Sequence, residues 1–265
     1  MKYLSVILAA GAAIGMIGTA EAATLPSGWT STGNAGVASP NGNIVAPPSQ
    51  GPDYYYVSTY GGAYGGGALQ GVGGSGSATN GSQITTSSFA ASAGETLEFY
   101  FNYLTSDGAG FADYGWARLL GETGDQVALL FTARTTSSGS SVPGYSMPAP
   151  AATLDPATVP IHSGTTWDVI GGSSGSCFST GCGYTGWVQS TYDIVANGVY
   201  KLQFGVTNWD DTKYDSGLTV AGAKVGNTQI TPAPSPVPLP AASWLLVAGV
   251  GALGLCRRRS ASQNS

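Results

Sequence analysis

The chain has 265 residues, only 9% of them Asp, Glu, Lys or Arg, and a formal net charge of −5. Charges this sparse, about a third of the usual share, with an acidic balance that repels phosphate backbones, exclude a nucleic-acid-binding protein. Gly contributes 41 residues, yet aliphatic and aromatic residues recur at strand spacing, which excludes intrinsic disorder.

In chain order the first feature is an export segment. Lys2 supplies a positive charge, Leu4 to Ile17 is apolar, and Ala20-Glu21-Ala22 has the small-x-small form of a cleavage site. Residues 1–22 are therefore expected to be a signal peptide with a helical core, feeding the general secretory route. Residues 23–230 amount to one domain by length. That stretch holds five Lys/Arg against thirteen Asp/Glu, so it is more acidic than the whole chain. With its many Ser, Thr, Tyr and Asn it reads as an extracellular β protein solvated by hydroxyls and amides.

The domain shows short alternating runs and no long helical period. In 95-ETLEFYFNYL-104, Leu97, Phe99, Phe101 and Tyr103 share one face and Glu98, Tyr100 and Asn102 the other, a period of two that predicts a strand. The runs 115–121 and 126–134 are joined by Glu122-Thr123-Gly124-Asp125, a hairpin turn. Further on, 199-VYKLQFGVT-207 turns Tyr200, Leu202, Phe204 and Val206 inward, and 218-LTVAGAKV-225 follows after a tight loop. Weaker strands are expected at Tyr54–Tyr60, Ile84–Phe89 and Trp187–Val195. About eight strands, many at hairpin distance, predict an all-β fold: an antiparallel two-sheet β-sandwich of jelly-roll type.

Two stretches interrupt the strands. Residues 61–81 are Gly-rich and expected to be flexible, with Tyr64 and Leu69 able to pin them. Residues 135–165 contain five prolines and no clear period, and are expected to run over the surface of the sandwich. Cys177 and Cys182, with four residues between them and in an exported chain, are expected to form a small disulfide loop.

Two catalytic-looking motifs fail on context. Gly71 to Gly76 satisfies G-x-G-x-x-G but no helix follows to meet a pyrophosphate. Gly171 to Gly175 satisfies G-x-S-x-G, but Cys177, Gly181 and Gly183 follow where a nucleophile elbow needs a helix. The single histidine, His162, cannot supply a catalytic zinc site. Paired carboxylates could hydrolyse glycosides, and Glu95, Glu98, Asp107, Asp113 and Glu122 are the candidates, but no spacing pairs two of them. An enzyme is not expected. Asp210, Asp211 and Asp215 share one short loop, where a hard cation could bridge them; Ca²⁺ is the one metal considered, and no other cofactor is expected. Tyr54, Tyr55, Tyr56 and Tyr60 are the candidate sugar-stacking residues.

The chain closes with a Pro-rich linker over 231–240, an uncharged apolar run, Arg257-Arg258-Arg259 and a polar tail over 260–265. Residues 241–259 are expected to be a transmembrane helix and its cytoplasmic Arg cluster. The stretch 237-VPLPAASWLLVAGVGALGLCRRR-259 resembles the PEP-CTERM sorting signal of exported proteins of Gram-negative bacteria, in its VPLPA variant. Val237, Pro238, Leu239, Pro240 and Ala241 carry the motif, with Leu239 where Glu is usual. The resemblance implies recognition by an exosortase, a membrane protease that cuts near the motif. It also implies a precursor anchored in the inner membrane, then a protein at the cell surface or in the medium. The stretch 202–225 is similar to the closing hairpin of jelly-roll domains that carry such tails. Three functions follow as expectations: a non-enzymatic surface or matrix protein associated with exopolysaccharide, a carbohydrate-binding module, and, least favoured, a carboxylate glycosidase.

Overall fold

The computed structural model describes residues 24–48 and 51–232, all within one compact unit, Ala23–Pro236. The expected signal peptide, transmembrane helix and sorting motif lie outside the described residues. Among the described residues no helix is long and apolar enough to cross a membrane.

The strands of the first half are β1 (Thr30–Thr32), β2 (Asn34–Ala38), β3 (Tyr54–Ser58), β4 (Ala63–Tyr64), β5 (Ala78–Thr85), β6 (Phe89–Ala91), β7 (Thr96–Thr105), β8 (Tyr114–Gly121) and β9 (Gln126–Arg134). The second half adds β10 (Ser140–Val142), β11 (Thr153–Asp155), β12 (Val159–Pro160), β13 (Gly183–Tyr184), β14 (Val188–Asp193), β15 (Gly198–Trp209), β16 (Ser216–Val225) and β17 (Thr228–Gln229). All but β10 and β12, which pair with each other, form two antiparallel sheets. One runs β1-β5-β15-β8-β9, with β4 beside β5 and β6 beside β15; the other runs β11-β14-β7-β16-β3-β2, with β13 beside β7 and β17 beside β16.

The period of two in β7 puts Leu97, Phe99, Phe101 and Tyr103 into the interior, where each is fully buried. From the opposite sheet, β15 supplies Leu202, Phe204 and Val206, and β9 supplies Phe131. The aromatic rings interlock across the two layers: Phe101 stacks on Phe131 at 3.7 Å, and Phe99 meets Phe204 edge-on at 5.4 Å. Each such side chain taken fully out of water is worth about 1.5–3 kcal/mol. Glu98, on the outward face, pairs with Lys224 of the neighbouring strand at 3.1 Å.

β8 and β9 pair through the expected turn, where Gly121 N donates to Asp125 O at 2.9 Å. The expected closing hairpin is a correction. β15 lies between β5 and β8, whereas β16 lies between β7 and β3, so the two belong to different sheets. Both strands carry inward apolar residues, and these meet across the core instead of side by side. The link Asp210–Asp215 therefore crosses from one layer to the other. Gly222, at φ +66°, sits within the bulge that shifts the β16–β7 register between Ala221 and Lys224.

Of the Gly-rich segment expected to be flexible over 61–81, residues 78–81 are strand β5, and 61–77 is pinned against the outer side of the first sheet by Leu69 and other groups, not by the Tyr64 ring. Leu69 packs with Tyr114, Trp116, Leu129 and Trp209, while Tyr64 stands 93% exposed. Trp116 Nε1 donates to Gly67 O at 2.6 Å, Trp209 Nε1 to Ser75 O at 2.8 Å, and Arg134 Nη1 to Gly73 O at 2.6 Å. Segment 135–165 runs over the sandwich as expected, and it contributes β11 to a sheet edge and the small β10–β12 pair. At the chain's exit Tyr55 Oη donates to Pro232 O at 3.0 Å.

Candidate functional site at the Thr105 and Ser216 end

β7 ends at Thr105 and β16 begins at Ser216, directly paired. Loops 106–113, 135–145, 162–187 and 210–215 gather at this end of the sandwich. Asp107 and Asp113 come from the first of these. The sequence shows no spacing that pairs them; the loop between β7 and β8, through the short helix Ala109–Phe111, brings Asp107 within electrostatic reach of Asp113.

Asp113 is completely buried. Its Oδ1 accepts from Trp209 N at 2.8 Å and its Oδ2 from Ser216 Oγ at 2.6 Å. Ser216 Oγ also lies 2.7 Å from Thr105 Oγ1, and Tyr103 Oη donates to the Asp113 carbonyl at 2.7 Å. Burial pushes the Asp113 carboxyl well above the usual range, against the lowering effect of Ser216 and with Asp107 raising it further. When protonated, Asp113 can donate to Ser216, freeing the Ser216 proton for Thr105.

Asp107 is 1% exposed. Gly108 N donates to its Oδ1 at 2.7 Å, while Oδ2 has no hydrogen-bond donor among the described residues. Burial first, then the charge of Asp211, push this carboxyl up to about 7. Asp215 accepts from Thr59 Oγ1 and Ser173 Oγ, both at 3.0 Å. Burial raises it too.

Asp210, Asp211 and Asp215 therefore do not converge. Asp215 turns inward to two hydroxyls, Asp211 accepts from Lys213 N at 2.9 Å, and Asp210, at φ +75°, lies against Gly76. Among the described residues no group of three or more His, Cys, Asp and Glu side chains is placed to hold a metal ion.

The tyrosine cluster is also placed differently from a sugar platform. Tyr54 and Tyr55 are buried and Tyr56 is half-buried, although they alternate along β3. Both faces of that strand are covered: Tyr55 joins the main core, while Tyr54 packs with Ile44, Trp167 and Ile170. Tyr60 is 51% exposed and packs over Gly171.

The surface above the carboxyls is of another character. Cys177 and Cys182 are bonded, with Cα atoms 5.7 Å apart. Ser163, Gly164, Thr165, Thr166, Gly175, Ser179, Thr180 and Gly181 line a cavity of about 440 Å³ with this disulfide. Ala109, Gly110, Thr135, Thr136, Ser137 and Tyr145 line another of about 360 Å³. Phe178, at the tip of the disulfide loop, meets Phe111 edge-on at 5.5 Å and Tyr214 at 5.0 Å. Sequence reasoning found the disulfide but missed Tyr145, Phe178 and Tyr214, each isolated in a loop without periodicity.

No protein-family model matches the chain, nor does any curated protein. Among solved structures, a cleaved adhesin domain of Lys-gingipain from Porphyromonas gingivalis is similar at 12% identity and a TM-score of 0.37, over 77% of this chain and 93% of that one. The enzymatically active domain of tailspike protein 4 of bacteriophage CBA120 is similar at 12% identity and a TM-score of 0.33, over 76% of this chain and 19% of that one. An arabinose-bound α-L-arabinofuranosidase gives 10% identity and a TM-score of 0.32, over 76% of this chain and 23% of that one. This chain thus spans about a fifth of the length of the latter two. The likeness is too slight for any property of those proteins to pass to this one.

Proposed function

We propose that this chain is the precursor of an exported, exosortase-processed surface or matrix protein that associates with extracellular polysaccharide and performs no catalysis. The domain is a jelly-roll-like sandwich, and the tail 237–259 is the address that takes it through the inner membrane to the surface or medium. The observation that carries this reading is the chemistry of the two cavities. Their walls are hydroxyls, glycine backbone, a disulfide and one tyrosine ring, groups that hydrogen-bond to sugar hydroxyls without moving protons. The carboxyls with raised affinity for protons, Asp107 and Asp113, are buried and line neither cavity.

Two measurements test it. The intact mass of the protein recovered from envelope or medium is expected to lack 241–265; retention of that segment overturns the sorting reading and leaves a simple tail anchor. The recovered protein is expected to co-sediment with the producing cell's own polysaccharide, and protein left wholly in the supernatant overturns the matrix reading.

A further inference from the structure

We propose that the two cavities beside the Cys177–Cys182 loop are one binding site for a neutral glycan chain, with Tyr145 and Phe178 as its stacking rings. This rests on the polysaccharide-associated reading above and deepens it.

The cavities share a wall. Thr135 lines one and donates through Oγ1 to the carbonyl of Gly181, which lines the other. Ala109 N, from the first, donates to Thr180 O of the second at 2.9 Å. The partition between them is thus one loop thick, and a polymer seated in one cavity meets the other.

That partition is stiff. The disulfide closes it, Phe178 N donates to Ser106 O at 3.0 Å, and the two bonds just named tie its far side. A wall fixed before the ligand arrives lowers the ordering cost of binding. Each cavity alone is within the size range of ligand sites.

The rings supply what hydroxyls cannot. Tyr145 lines the smaller cavity and is 64% exposed; Phe178 lines neither cavity but stands between Cys177 and Ser179 of the larger one, 49% exposed although one side packs on Phe111 and Tyr214. A sugar offers one face of C–H groups and a rim of hydroxyls. An open aromatic face takes the former, and the Ser, Thr and backbone groups of the walls take the latter. No charged side chain lines either cavity. The surrounding domain, with thirteen acidic against five basic residues over 23–230, repels uronate or sulfated chains. A neutral glycan is what remains.

The test is affinity electrophoresis of the recovered protein through gels containing dextran, laminarin, galactomannan or alginate. Wild type is expected to be retarded by at least one of the three neutral polymers and not by alginate. Tyr145→Ala and Phe178→Ala are expected each to weaken retardation by up to about tenfold in affinity, and Tyr64→Ala, which removes an exposed ring outside both cavities, to leave it unchanged. Retention of full binding by both Tyr145→Ala and Phe178→Ala, or equal loss in Tyr64→Ala, overturns this site while the polysaccharide-associated reading stands. Preference for alginate overturns the assignment to a neutral glycan. Failure of wild type to bind any polymer, the cell's own polysaccharide included, overturns the broader reading together with the site.

Discussion

Ser216 Oγ donates to Asp113 Oδ2 across 2.6 Å, and the two residues belong to different sheets: Asp113 immediately precedes β8, and Ser216 opens β16. This bond closes the sandwich at the site end. Asp113→Ala leaves Trp209 N without its acceptor in a dry interior and removes one of the two partners of Ser216 Oγ, and is expected to cost about 2–4 kcal/mol. Asp113→Asn keeps an acceptor for Trp209 and can donate to Ser216, so it is expected to cost less than about 1 kcal/mol at pH 7. Urea denaturation of the pair of variants measures the difference.

Acid is expected to stabilise the domain. Asp107, Asp113 and Asp215 all bind their protons more tightly folded than unfolded. Their contribution is complete below the ordinary value of 3.8 and is lost as pH rises, for Asp107 through about 7. For Asp107 alone the whole effect is at most about 4 kcal/mol. Thermal melts between pH 5 and pH 8 should show Tm falling with rising pH, with Asp107→Asn flattening the slope; a Tm that rises over this window contradicts the burial argument.

The close seating of the Gly-rich segment depends on a missing side chain at Gly67. This residue sits at φ +65°, and a Cβ there would strike the carbonyls of Val206 and Ser82. Gly67→Ala is expected to cost about 1–3 kcal/mol and to speed proteolysis within 61–77. Gly172→Ala, at a position with open space and no positive φ, is the control expected to leave both unchanged.

Opening the disulfide should destabilise modestly. The two cysteines are five apart in sequence, so the entropic constraint on the unfolded chain is about 2 kcal/mol. Calorimetry of Cys177→Ser, Cys182→Ser against wild type measures it. Reductant is expected to bring wild type to the variant's Tm.

Much of the layered fold was legible in the residues themselves. Leu97, Phe99, Phe101 and Tyr103 announce an inward face because a strand alternates, and β8 and β9 announce a hairpin because a polar turn separates them. Which sheet a strand joins is not local. β15 and β16 read as neighbours because the link 210–215 is short, yet each already has two other partners. The same limit hid the site. Asp113 stood out only as one of five carboxylates that no spacing pairs, and nothing local signals a buried position made tolerable by the Ser216 and Trp209 donors. Tyr54, Tyr55 and Tyr56 read as sugar-stacking candidates because alternation leaves one face of a strand to solvent, and the segment around Ile44 and Trp167 covers that face.

The register of β16 on β7 has a mechanical consequence. The cavities lie near where Thr105 meets Ser216, while the chain turns back through β17 along the other end of the same strand and leaves the domain at Pro232, just past Thr231 beside Ala223 and held by Tyr55. Seven steps of extended chain, Ser216 to Ala223, about 23 Å, separate the proposed glycan site from the exit. A pull between a polymer in the cavities and the C-terminal exit therefore runs along the strands. It loads the rungs of the ladder in shear, all together, instead of peeling them one by one.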